Sequence, residues 1–225
     1  MALNAKNVQG NSKNFVKQED LEPDVYRGRL VQIIDLGLQP QQPFQGKDKP
    51  PVQEIMLTYE LCDEFMKDEE GNDIEDKPRW ISETLPFYGL FADKAKSTKR
   101  YNAFDPTELF EGDFSKCIGV PVNVTVVNNV KGDKTYNNVG NVAPMSAKKA
   151  ATCPELVNPP KVFDLDAPAM EIYNALPEWI RKKIESNLNF QGSALQKALG
   201  KKADKPIKED APPVVDDAGE SNNPY

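Results

Sequence analysis

Alternation of apolar and polar residues in two segments sets the class of fold that this chain can adopt. In residues 52–62 and 120–130 apolar side chains recur at every second position, and Met56 lies among the polar positions of the first segment. Successive side chains of a β-strand point to opposite faces, so this pattern predicts strands that bury one face and expose the other. The predicted buried positions are Ile55, Leu57, Tyr59 and Leu61 in the first segment and Val120, Val122, Val124 and Val126 in the second.

Three further segments have strand character. Residues 24–38 are rich in apolar residues, and the parity of these positions changes near Val31, which is typical of a long, coiled strand with a β-bulge. Residues 79–85 and 135–142 are predicted as two more strands, and the turn at 131–134 indicates a hairpin between the last two strands.

The segments between these strands differ in character. Residues 39–51 are rich in proline and predict a long loop. Residues 63–77 hold eight acidic residues and predict a solvated hairpin loop. Residues 89–118 predict a helical or irregular insertion, with a short helix at 108–110.

The order of three strands, a helical insertion and two strands predicts a mainly β fold, a five-stranded OB-fold barrel at residues 21–145. Small barrels and sandwiches of other topology also fit five strands. Residues 1–20 are predicted as a flexible N-terminal arm, and residues 146–199 as a linker and extension with short C-terminal helices packed on the barrel. Residues 200–225 are predicted as a disordered acidic tail.

Composition narrows the classes of function. The chain has no histidine, which excludes Ser-His-Asp and Cys-His catalysis and zinc sites that use histidine. It has no Walker A motif, and its three widely spaced cysteines, without a CxxC motif, are typical of reduced cytoplasmic thiols. It has no apolar segment long enough to span a membrane and no apolar export signal at its start. We therefore predict no cofactor, no metal site and no membrane partner.

Charge is distributed unevenly along the chain. The net charge of −7 alone argues against nucleic-acid binding, yet residues 77–101 carry six basic residues against two acidic ones, interleaved with aromatic residues. Bases of single-stranded DNA stack on aromatic rings while lysine and arginine contact phosphates, without any sequence code. The predicted stacking residues are Trp80, Tyr88, Tyr101 and Tyr136, and the predicted phosphate contacts are Arg27, Arg29, Lys47, Lys49, Arg79, Lys94, Lys96, Lys99, Arg100, Lys131 and Lys134.

Two alternatives stay open for these residues. Trp80 fits a core position as well as a stacking position, since its neighbours two positions away are Pro78 and Ser82. Aromatic residues at periodic positions belong to the core, and we assign Tyr59, Phe104, Phe110 and Phe114 there. The basic residues at 94–100 also fit the solvated face of a helix.

The end of the chain has the opposite charge. Residues 209–225 contain five acidic residues and no basic one. A polyanionic tail can fold back onto a basic groove and compete with DNA, in a manner weakened by salt. By composition alone, a tail that only improves solubility is the favoured interpretation.

The tail and the body carry a resemblance to one group of proteins. The tail resembles that of bacterial single-stranded DNA-binding proteins, which is acidic and ends in proline and an aromatic residue; the matching positions are Asp216, Asp217, Glu220, Pro224 and Tyr225. Asn222 and Asn223 depart from this pattern, since the bacterial tail has acidic residues there. Residues 20–145 resemble phage single-stranded DNA-binding proteins of the OB-fold type, in segments 26–41, 47–51, 77–84 and 93–100.

The resemblance implies a non-enzymatic protein that binds and protects single-stranded DNA during phage DNA replication, recombination and repair. It further implies a monomer or dimer in the host cytoplasm, whose tail recruits replication and recombination proteins. Two other functions fit the sequence: a phage structural or adaptor protein on a small β-barrel, and a magnesium-dependent nucleic-acid enzyme that uses carboxylates.

Overall fold

The computed structural model describes residue 16 and residues 18–201. Most of the predicted N-terminal arm and nearly all of the predicted acidic tail therefore lie outside the described residues. The strands are β1 (Val25–Gln39), β2 (Val52–Lys67), β3 (Asp73–Pro86), β4 (Pro121–Lys131), β5 (Lys134–Pro144) and β6 (Lys161–Phe163). The helices are α1 (Lys96–Phe104), α2 (Ala147–Ala150), α3 (Met170–Ala175), α4 (Glu178–Glu185) and α5 (Ala194–Ala198), with a 3-10 helix at Phe114–Cys117.

The strands form one sheet in the order β3-β2-β1-β4-β5, and β6 pairs in parallel with β1. The mainly β class and the five predicted strand segments are confirmed, while the short β6 was not predicted. Neighbouring strands along the main path are antiparallel. Among the described residues β3 and β5 do not pair with each other, so the sheet stays open between them. Strand pairing therefore does not form the predicted closed barrel.

β1 is bent by two irregularities. The pairing with β2 shifts between Leu30 and Gln32, which confirms the bulge predicted near Val31. A second shift precedes Gly37, whose φ of +79° favours glycine and where an added Cβ would approach the Asn187 side chain within 2.6 Å. The bends let the start of β1 pair with β4 and its middle pair with β6.

The first hydrophobic core lies on the inner face of the sheet, beneath α1. It contains the residues that were predicted to be buried in the two alternating segments, except Val120, which precedes β4 and is only partly buried against the cluster. Tyr59 stacks on Phe104 of α1 with ring centroids 6.3 Å apart. The assignment of Tyr59, Phe104 and Phe114 to the core is confirmed, and Phe110 packs against the same cluster.

A second hydrophobic core lies on the outer face of β1 and β2. The C-terminal extension covers this face with residues from β6 and from α3, α4 and α5. The prediction that β2 is only half-buried is therefore wrong, because Met56, Thr58 and Glu60 on its outer face are buried as well. The core residues are Ile34, Leu36, Met56, Phe163, Tyr173, Leu176, Ile180, Ile184, Phe190 and Leu195.

Two predicted loop features are also corrected. Most of the predicted acidic loop at 63–77 is strand, since β2 and β3 extend into it and leave only a turn around Asp68, whose carboxylate accepts the backbone N–H groups of Glu70 and Asn72. The predicted helix at 108–110 is a turn in which Glu108 has a φ of +57°.

Arg100 of α1 connects the two strands that the sheet leaves unpaired. Its Nε and Nη2 donate to the two carboxylate oxygens of Glu83 on β3, at 2.7 and 3.1 Å. Its guanidinium also reaches β5, at the carbonyl of Gly140 (3.5 Å) and Oδ1 of Asn141 (3.4 Å). The Tyr59 hydroxyl donates to the same carboxylate at 2.9 Å. Arg100 is only 2% exposed, so this ion pair is shielded from solvent.

We predict that Arg100→Met lowers the free energy of unfolding by about 3–5 kcal/mol, because it leaves the buried Glu83 carboxylate without its main partner. Lys96→Met is the matched control, since Lys96 binds the same carboxylate at 3.1 Å from a half-exposed position, and its loss should cost at most about 1 kcal/mol. Urea unfolding measures both variants. Equal effects of the two substitutions would contradict a special role for Arg100.

Candidate nucleic-acid interface

Two of the predicted phosphate contacts are buried arginines with internal partners. Arg29 donates to the carbonyls of Gly119, Cys153 and Pro154 at 2.6–2.9 Å. Arg100 forms the ion pair with Glu83 described above. The prediction that these side chains contact DNA is therefore corrected: their guanidinium groups already hold elements of the fold together.

Tyr101 is corrected in the same way. Its ring is 1% exposed and packs against Phe114, with centroids 5.2 Å apart. Its hydroxyl donates to Asp105 at 3.0 Å and accepts the backbone N–H of Gly112 at 2.7 Å. A base cannot reach this ring, so Tyr101 belongs to the core.

Two more predicted contacts are partly exposed but neutralised. Arg27 donates through Nε to Asp63 at 2.7 Å, and Lys96 lies 3.1 Å from Glu83. A carboxylate beside each cation reduces its attraction for phosphate. We therefore expect Arg27 and Lys96 to contribute less to DNA binding than the other predicted cations.

The remaining predicted cations make no ion pair with any other residue in the described part of the chain. They are Lys47, Lys49, Arg79, Lys94, Lys99, Lys131 and Lys134. The remaining predicted aromatic residues, Trp80, Tyr88 and Tyr136, each expose 41–46% of their surface. These groups are therefore open to a ligand.

The structure divides these groups between two ends of the sheet. The loop at 40–51 and the segment at 87–95 leave the sheet side by side, since β2 and β3 pair at Glu54 and Pro86 and the Phe87 N–H donates to Gln53. The β4–β5 hairpin, with Lys131, Lys134 and Tyr136, projects from the opposite end, where the acidic β2–β3 hairpin also lies. The predicted phosphate contacts Lys47 and Lys49 in the loop between β1 and β2 are thus not adjacent to Lys131 and Lys134 in the β4–β5 hairpin.

The first end carries exposed aromatic rings together with cations, and we call it the aromatic–lysine surface. It consists of Phe44, Lys47 and Lys49 in the first loop and Tyr88, Phe91 and Lys94 in the second segment. Phe91 is 93% exposed, and Lys49 Nζ lies 4.6 Å from the centroid of the Phe44 ring. Phe44 and Phe91 were not among the predicted site residues. Their position in non-periodic, proline- or glycine-containing segments was the available signal, since such segments rarely bury a ring.

The outer face of β3 leads to this surface. Trp80, Ser82 and Thr84 are exposed at alternate positions, and the strand ends two residues before Tyr88. Because alternate side chains share a face, a polar and aromatic track runs from Trp80 to the aromatic–lysine surface.

Trp80 is oriented by a buried carboxylate. Its Nε1 donates to Oε2 of Glu60 at 3.1 Å. Glu60 also accepts the backbone N–H groups of Val157 and Asn158, at 2.7 and 3.2 Å, and the Asn158 amide at 2.7 Å. One carboxylate thus fixes both the indole ring and the start of the C-terminal extension beside it.

Residues 18–201 contain no group of three or more cysteine, aspartate or glutamate side chains arranged to hold a metal ion. No helix within that range is long and apolar enough to cross a membrane.

The predicted tail residues Asp216, Asp217, Glu220, Pro224 and Tyr225 lie outside the described residues. Comparison of the sequence with known proteins gave no matching family model and no matching curated relative.

We predict that Glu60→Ala increases the rate of tryptic cleavage after Lys161 by about tenfold, because the N–H groups at 157 and 158 lose their acceptor and the extension opens locally more often. Glu75→Ala, an exposed substitution on β3, is the control and should leave the rate unchanged. Peptide mapping over time measures the cleavage. An unchanged rate in Glu60→Ala would show that other contacts hold this segment.

Proposed function

We propose that the chain is a non-enzymatic protein that binds and protects single-stranded DNA independently of sequence. The observation that carries this proposal is the aromatic–lysine surface, where exposed rings stand among cations that form no ion pair with any residue in the described part of the chain. Bases of single-stranded nucleic acid stack on aromatic rings and lysines contact its phosphates, so a surface that combines the two kinds of side chain fits this ligand.

The strand order supports an OB-fold topology as part of this proposal. β1 lies centrally and pairs with both β2 and β4, and α1 lies between β3 and β4 in the chain, as in that fold. OB-folds bind oligonucleotides on the face of strands 2 and 3 and at the loop between strands 1 and 2. The exposed outer face of β3 and the loop at 40–51 correspond to these regions.

Each group has a distinct role in the proposed complex. Phe44, Trp80, Tyr88 and Phe91 stack on bases, and their contribution does not depend on base identity. Lys47, Lys49, Arg79, Lys94 and Lys99 contact phosphates and make the affinity fall with salt. Lys131, Lys134 and Tyr136, at the other end of the sheet, provide a second contact for a longer strand.

The biological setting of the proposal rests on the sequence resemblance. We place the protein in phage DNA replication, recombination and repair, in the cytoplasm of the bacterial host. The acidic tail would compete with DNA for the aromatic–lysine surface and, once displaced, recruit replication and recombination proteins.

We predict that Phe91→Ala weakens binding to a labelled oligothymidylate by about 1–3 kcal/mol, because one stacking platform is removed. Fluorescence anisotropy at several salt concentrations measures the dissociation constant. Trp179→Ala is the matched control, since Trp179 is also exposed (60%) but lies on α4 of the extension, and it should bind as the unmodified chain does.

Retention on a single-stranded DNA column that falls as salt increases is the broader test. A chain that is not retained at low salt would overturn the proposal and favour a structural or adaptor role. DNA cleavage that needs magnesium and is lost on changing specific carboxylates would favour an enzyme instead.

We predict that deleting residues 209–225 tightens DNA binding at low salt and has little effect at high salt, because the competing polyanion is removed. A full-length variant with Glu209, Asp210, Asp216, Asp217 and Glu220 replaced by their amides is the control for length and should bind as tightly as the deletion. Unchanged or weaker binding by both variants would contradict competition by the tail.

A further inference from the structure

Two cysteines that are far apart in sequence meet between β2 and the C-terminal extension. Cys62 lies on β2 and Cys153 follows α2, and their Sγ atoms are 3.3 Å apart although 91 positions separate them in the chain. Both are free thiols. A disulfide bond needs a sulfur separation of about 2.05 Å, so small side-chain rotations suffice to close the gap.

We propose that Cys62 and Cys153 form a reversible intramolecular disulfide that joins β2 covalently to the C-terminal extension. The oxidant is a small-molecule disulfide of the glutathione type. This inference does not depend on DNA binding.

The turn that carries Cys153 is held in place by two arginines of β1. Arg27 Nη1 donates to the carbonyl of Thr152 at 3.3 Å, and Arg29 donates to the carbonyls of Cys153 and Pro154 at 2.9 and 2.7 Å. β1 pairs with β2 at Gly28 and Leu61, which places Cys62 next to these arginines. The two thiols are therefore brought together by the fold before any oxidation, and closing the bond orders little additional chain.

The surroundings assign a different role to each thiol. Cys62 is partly exposed and lines an open surface pocket of about 290 Å³ with Glu60, Phe65 and Pro78. Cys153 is 6% exposed. A small disulfide therefore reaches Cys62 first, and Cys153 then acts as the resolving thiol.

The disulfide between Cys62 and Cys153 forms in two thiol–disulfide exchange steps. The Cys62 thiolate attacks one sulfur of oxidised glutathione, which forms a mixed disulfide and releases one glutathione thiol. The Cys153 thiolate then attacks Sγ of Cys62, which forms the internal disulfide and releases the second glutathione thiol. The protein loses two electrons and two protons, and one glutathione disulfide is reduced to two thiols.

The environment makes this reaction slow at neutral pH. Burial, together with the hydrogen bond to Cys153, raises the pKa of Cys62 to about 12. Because the thiolate is the reactive form, its fraction rises about tenfold per pH unit below that value. Oxidation should accelerate with pH accordingly.

The experiment uses the full chain incubated with oxidised glutathione at pH 8.5, followed by capping of free thiols and peptide mapping. We expect a cross-linked peptide pair that contains Cys62 and Cys153, a mass loss of two hydrogens, and full reversal by dithiothreitol. Cys117, which is buried in the first core, should remain a capped free thiol. A stable glutathione adduct on Cys62, a bond to Cys117, or only intermolecular dimers would overturn the proposal.

Two further measurements complete the experiment: one uses the unsubstituted chain and needs no variant to fold, and the other uses single cysteine variants. The melting temperature of the unsubstituted chain should rise by about 5–10 °C on oxidation, because the bond closes a long loop in the unfolded chain. Cys117→Ser should still form the bond, whereas Cys62→Ser should form none.

Discussion

The buried ion pair between Arg100 and Glu83 is the contact on which the remaining architecture depends. It occupies the position where β3 and β5 would otherwise need to pair, and it fixes α1 across that opening. The segment at 87–95 connects β3 to α1, so both of its ends are anchored by elements that the ion pair joins. Its first residues are fixed further by the Phe87 N–H, which donates to Gln53, and by the Tyr88 N–H, which donates to Oγ of Ser97 at 3.1 Å.

The sequence predicted most of the sheet because strand periodicity is a local property. The alternation at 52–62 and the parity change at Val31 correspond directly to β2 and to the bulge in β1. The outer face of β2 could not be predicted in the same way, because the residues that bury Met56 lie more than a hundred positions later in the chain. β6 was missed because three residues are too few to show a period.

The candidate site was predictable in part. The sequence identifies basic residues, but it does not show whether a guanidinium forms hydrogen bonds or an ion pair within the protein. Arg29 and Arg100 form such internal contacts. Tyr101 was misassigned for a related reason. Neighbouring residues of a helix lie on different faces, and the face of α1 that carries Tyr101 packs against the first core. Phe44 and Phe91 were not selected, although their place in non-periodic segments, which rarely bury a ring, was a usable signal.

The coverage of β1 on both faces has a consequence for how the chain can be divided. A fragment that ends near residue 145 would retain all five strands of the main sheet path, yet it would expose Ile34, Leu36 and Met56 to water. It would also leave the Glu60 carboxylate and the Arg29 guanidinium without most of their partners. Such a fragment would expose an apolar surface to solvent and would tend to aggregate. The extension thus completes the second hydrophobic core together with β1 and β2. The smallest fragment expected to fold independently therefore includes it.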